Sequence, residues 1–111
     1  MNRGMTTGRA ILLASLSEKD WQAHVVGVLR DHGWLVYHPY DSRRSAAGYP
    51  DLTAVHPERG LLLLVELKTA RGRCTADQRR WMKALGGVVS VYNATWRPRD
   101  IDEVERVAGG G

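Results

Sequence analysis

Apolar residues recur at helical spacing in some stretches of this chain and run continuously or alternate in others, and the switches between the two mark its elements. Trp21, Val25, Val28 and Leu29 are spaced three or four apart behind Ser17, an N-cap followed by Asp20 three residues on. The spacing predicts an amphipathic helix from Glu18 to about His32, stopped by Gly33. Trp34–Pro39 predicts a first strand, with Leu35, Tyr37 and Pro39 on one side and Trp34, Val36 and His38 on the other. Asp51–His56 and Leu61–Lys68 predict a hairpin around the turn Pro57-Glu58-Arg59-Gly60. Thr75 caps a second predicted helix reaching about Leu85, with Trp81, Met82 and Leu85 as its apolar stripe. Val88–Tyr92, rich in β-branched residues, predicts the last strand, and Asp100 with Glu103 opens a short helix to about Ala108. The order α-β-β-β-α-β-α predicts an α/β fold, a mixed β-sheet flanked by helices. Residues 1–16 show no clear period and are expected to be a tail, or an arm that packs on a partner. Residues 17–108 form the expected domain, and 109–111 a flexible tail.

Composition narrows the class. A chain of 111 residues with 43% hydrophobic and 25% charged residues is expected to be one ordinary domain with a small core. Its longest apolar stretches, Ala10–Leu16 and Leu61–Val65, fall far short of the ~20 residues that span a bilayer. Ala10–Leu16 is also short for a signal peptide, so a cytoplasmic protein with no membrane partner is expected. The single cysteine, Cys74, excludes a disulfide framework, and the four histidines show no metal-ligand spacing. A metal here would therefore be held by oxygen, which favours Mg2+ or Mn2+. The net charge is +4. Arg71, Arg73, Arg79 and Arg80 cluster between Lys68 and Lys83, and Arg43-Arg44 stand earlier, as a phosphodiester ligand would require. A solvated basic face is the alternative.

The hairpin carries the chemistry. Fourteen residues separate Asp51 of Gly48-Tyr49-Pro50-Asp51 from Glu66 of Glu66-Leu67-Lys68. If His56 pairs with Leu61, Asp51 falls opposite Glu66, with Cβ atoms about 4.5–5.5 Å apart, and Lys68 points to the same face. Two carboxylates so placed repel unless a cation lies between them. Lys68 could be that cation in a purely structural cluster; a divalent metal beside a phosphate is the other solution. Glu18, in the first turn of the first predicted helix, supplies a third carboxylate.

Gly48-Tyr49-Pro50-Asp51-Leu52, then Val65-Glu66-Leu67-Lys68-Thr69, then Gln78, resembles the PD-(D/E)XK nuclease superfamily and its VRR-Nuc branch. The resemblance runs from Ser17 to Val107 and takes in Gln22, Asp41-Ser42-Arg43-Arg44-Ser45 and Trp96-Arg97-Pro98. One departure is Ala84–Val89, shorter than the glycine-containing loop usual before the last strand. The resemblance implies a restriction-endonuclease-like sheet and magnesium-dependent hydrolysis of phosphodiester bonds, with Mn2+ able to substitute. It makes Asp51, Glu66 and the Leu67 backbone carbonyl the metal ligands, with Glu18 completing the site directly or through water. Lys68 would orient the attacking water or neutralise transition-state charge, and Gln78 would hold substrate or Lys68. Arg43, Arg44, Arg71 and Arg73 are the candidate phosphate contacts. Stand-alone domains of this branch resemble Holliday-junction resolvases, so branched DNA and a homodimer are expected. A flap or single-strand nuclease, and a non-catalytic nucleic-acid-binding module, are the alternatives.

Overall fold

The hairpin is the centre of a four-stranded sheet. In the computed structural model, which describes residues 8–39 and 46–110, β1 (Leu35–Tyr37), β2 (Leu52–His56), β3 (Leu61–Leu67) and β4 (Val91–Trp96) lie side by side in chain order. β1–β2 and β2–β3 are antiparallel and β3–β4 is parallel. A parallel neighbour cannot be reached by a tight turn, so the chain crosses over through α3 (Ala76–Gly86) before β4 begins. The other helices are α1 (Gly8–Leu13), α2 (Glu18–Asp31) and α4 (Ile101–Gly109), the last entered through a 3-10 turn at Pro98–Asp100.

Register sorts the side chains onto two faces. Leu52 and Ala54 share one face with Leu63, Val65, Leu67 and Trp96, and there they meet Trp21, Val25 and Leu29 of α2 and Ile101, Val104 and Ala108 of α4. Two core indoles bury their N–H groups on carbonyls, Trp21 Nε1 on Trp96 O at 3.2 Å and Trp34 Nε1 on Ala108 O at 3.0 Å. The alternation expected along β1 holds: Trp34 is buried, while Leu35 and Tyr37 stand exposed on the outer face.

Four expectations need correction. The last strand is Val91–Trp96 rather than Val88–Tyr92. Its place is set by the ladder Leu62↔Val91 to Leu67↔Trp96, while Val88 and Val89 lie exposed in the preceding turn. Pairing and burial of Trp96 outweigh the β-propensity of two valines. The segment from Gly8 to Leu16 packs on this chain's own domain: Ala10 is buried, Leu13 and Leu16 border the core, and Arg9 bridges Asp102 at 2.8 Å and Glu105 at 2.9 Å on α4. The pairing expected of Asp100 and Glu103 is also replaced. Asp100 accepts from the Arg97 N–H at 2.8 Å, and Glu103 accepts from Trp96 Nε1 at 3.0 Å and Tyr92 OH at 3.3 Å. At the far end α4 continues through Gly109, where a flexible tail is expected, and Gly110 caps it at φ +79°.

Candidate active site

The β2–β3 ladder runs without a bulge from His56↔Leu61 to Leu52↔Val65, and its next step sets Asp51 opposite Glu66, the register expected from sequence. Asp51 Oδ2 accepts the Leu67 N–H at 2.8 Å, which extends the ladder by a side chain and fixes the carboxylate against the backbone of β3. The Gly-Tyr lead-in secures this end against α3. Tyr49 meets Trp81 edge-on at 5.2 Å and bonds Thr53 Oγ1 at 3.0 Å, while Trp81 Nε1 donates to Ala47 O at 3.1 Å. Gly48 adopts φ +85°, and a Cβ there would stand 2.4 Å from the Asp77 carbonyl carbon. Gly48→Ala is therefore expected to cost at least about 2 kcal/mol from left-handed strain and the backbone clash together, read as a lowered thermal midpoint. An unchanged midpoint would mean the loop does not seat on α3 in this way.

Glu66 is the most unusual residue of the molecule, a carboxylate 1% exposed. Its Oε2 accepts from Gln78 Nε2 at 2.7 Å and lies 3.6 Å from Lys68 Nζ, while Oε1 is buried with no hydrogen-bond partner. Burial, then the charge and hydrogen bond of Asp51, push the Glu66 carboxyl up to about 8, against the opposing pull of Lys68. Gln78 has its orientation fixed from behind: its Oε1 accepts the Thr75 N–H at 2.8 Å and its own N–H donates to Thr75 Oγ1 at 3.1 Å. With the amide oxygen engaged in this capping box, the NH2 group must face Glu66. The resemblance assigns Gln78 to substrate or to Lys68; in the structure its amide N–H donates to the Glu66 carboxylate. Gln78→Glu keeps the acceptor for Thr75 but sets a carboxylate against Glu66. It is expected to lower activity about 10²-fold while amide exchange in α3 stays slow. If this variant were as active as the parent, the contact would be a helix cap and nothing more.

The remaining candidates fall into three groups. Lys68 is 12% exposed, and its N–H donates to Trp96 O at 3.0 Å, the carbonyl that also accepts from Trp21 of α2. Leu67 ends β3 between Glu66 and Lys68, so its carbonyl belongs to the same strand end. Glu18 opens α2 one turn before Trp21, at the same end of the sheet, but is exposed and outside the cluster. Among the described residues no three His, Cys, Asp or Glu side chains converge. Arg71 and Arg73 are exposed on the link between β3 and α3. Arg43 and Arg44 lie outside the described residues. Arg97 has no role legible in the sequence; its Nη1 donates to Thr69 O at 2.9 Å and Gly72 O at 2.5 Å and so fixes the link after Lys68. Nothing in the pattern Trp-Arg-Pro signals which carbonyls an arginine will reach.

Asp51, Glu66 and the Leu67 carbonyl offer only oxygen, and Glu66 Oε1 is buried with no N–H or O–H donor on it. This set fits a hard divalent cation such as Mg2+, which uses one or two carboxylates and completes its shell with water and phosphate oxygens. The chain matches the profile of the VRR-NUC domain over residues 9–96.

It belongs to the VRR-NUC family.

VRR-NUC domains are nuclease-type domains, so the cluster lies in a chain of nuclease fold. Two solved structures share that fold. One, titled "VRR_NUC domain", is 20% identical with a TM-score of 0.64, covering 78% of this chain and 91% of its own. The other, titled "VRR_NUC domain protein", is 22% identical with a TM-score of 0.57, covering 83% and 84%. None of the curated proteins compared matches significantly. The VRR-NUC match begins at Arg9, so it includes the α1 segment that the sequence reading sets apart.

Proposed function

We propose that this VRR-NUC chain is a magnesium-dependent DNA endonuclease selective for branched DNA, acting on junctions in the manner of a Holliday-junction resolvase and as a homodimer. The observation that carries the reading is Glu66, a buried carboxylate opposite Asp51 with one oxygen unpartnered. Burying a carboxyl opposite a second carboxylate is costly, and a cluster that served only stability has no reason to keep that pair.

Asp51, Glu66 and the Leu67 carbonyl would hold the cation. When bound, it would polarise the scissile phosphate and lower the pKa of a water. Lys68 stands 3.6 Å from Glu66, where it can orient that water or meet charge developing on the phosphate. Gln78, bonded to Glu66, would keep that carboxylate turned toward the cation, and the exposed Arg71 and Arg73 would meet backbone phosphates next to the cut. Two copies would let symmetric strands be cut in one complex.

The test is incubation with a four-way junction, a flap, a single strand and a linear duplex, with Mg2+ or Mn2+ and with chelator. Paired symmetric nicks on the junction, lost in chelator, are the expected result. Cleavage confined to the flap or single strand would reassign the substrate. No cleavage of any DNA would leave a non-catalytic binding module. Light scattering that finds monomer at every concentration would remove the symmetric mechanism.

A further inference from the structure

A cavity of about 180 Å³ opens between α1 and the 3-10 turn, lined by Ala10, Ala14, Ala70, Arg97, Pro98 and Arg99. Building on the nuclease reading, we infer that this cavity is a subsite for one unpaired deoxynucleotide of the substrate, its ring between the alanines and its phosphate on the two arginines. Size favours a single ring, since an apolar cavity of about 150 Å³ accommodates benzene and a base pair could not enter. The methyl-sized side chains of three alanines leave apolar surface for a ring without burying unpaired polar groups.

Charge is supplied by a guanidinium that is already held in place. Arg97 Nη1 is committed to Thr69 O and Gly72 O, while among the described residues Nε and Nη2 make no hydrogen bond. A guanidinium has five donors in a rigid fork, so a cation anchored by one nitrogen still offers several to a phosphate. Arg99 adds a second, exposed positive charge. Position completes the case. Ala70 follows Lys68 by two residues, a span of no more than about 7 Å, and the Lys68 N–H bonds Trp96 O, next to Arg97. Adjacent nucleotides of one strand could thus occupy the cutting cluster and the cavity. Filling it requires a nucleotide unpaired beside the cut, which costs less at a branch point, where stacking is interrupted, than within continuous duplex.

The experiment is an NMR titration of the full chain with thymidine 5′-monophosphate in chelator, with thymidine and inorganic phosphate as separate arms. Saturable shifts at Ala10, Ala14 and Ala70 are expected, with either fragment binding more weakly than the nucleotide. Arg99→Gln and Ala14→Leu alter exposed positions, so both should fold, and each is expected to weaken binding roughly tenfold. Phosphate binding as tightly as the nucleotide, shifts confined to other residues, or unchanged affinity in both variants would overturn the subsite. Because chelator and a mononucleotide remove cleavage from the readout, the two readings fail separately. Cutting without nucleotide binding defeats the subsite alone; nucleotide binding without cutting of any DNA defeats the nuclease reading, and the subsite's substrate role with it.

Discussion

Asp51→Asn is expected to reduce cleavage on the order of 10³-fold while DNA binding stays nearly intact. The amide keeps an oxygen for the Leu67 N–H, so the strand end remains closed and the fold has no reason to change. What is lost is one of two charges that would hold the cation, and with it activation of the water. The same substitution removes a charge that raises the Glu66 carboxyl, so Glu66 is expected to titrate closer to an ordinary carboxylate. Single-turnover cleavage, DNA binding in chelator and side-chain NMR of Glu66 read the three effects separately. Equal loss of binding and cleavage would make Asp51 a structural residue.

The second large effect is a pH dependence carried by Glu66. Its carboxyl is raised from 4.5 to about 8 in the metal-free protein, so between those values the folded state binds a proton that the unfolded state does not. Stability therefore falls as pH rises from 4.5 to about 8, by on the order of a few kcal/mol, and levels off above. A divalent cation competes with that proton, so its binding should release protons and tighten about tenfold per pH unit in the same window. Denaturant melts in chelator and calorimetric Mg2+ titrations in buffers of different ionisation enthalpy measure the two arms. Glu66→Gln, neutral and of the same shape, should flatten the stability profile and abolish metal binding. A parent protein whose stability in chelator does not decline across this window would mean that the carboxyl ionises freely.

Gln78 and Trp81 show how far the sequence carries. Helical spacing predicts the helix and its Thr75 cap, and both are present, but the stripe of Trp81, Met82 and Leu85 contains no fully buried residue. Trp81 packs on Tyr49 of the loop before β2. One-dimensional periodicity says which face is apolar, not which neighbour covers it. The same limit explains Val88 and Val89, whose β-propensity has no ladder to join, and Arg9, whose partners lie more than ninety residues away on α4.

The hairpin is the opposite case. A four-residue turn and the strict two-residue alternation of a strand leave one simple register, so Asp51 opposite Glu66 follows from counting. The sequence by itself thus determined the element order, the hairpin pairing and the two facing carboxylates. Tertiary structure alone decided that Glu66 is buried with a free oxygen, that Gln78 is turned onto it by its own helix cap, and that Glu18 stands apart from it. It also brought Arg97, from beyond β4, to the link that follows Lys68. Local contacts are set by backbone geometry, which repeats and can be read along the chain. Burial and long-range hydrogen bonds depend on where the crossover through α3 places β4 and its flanking residues, and no local pattern encodes that.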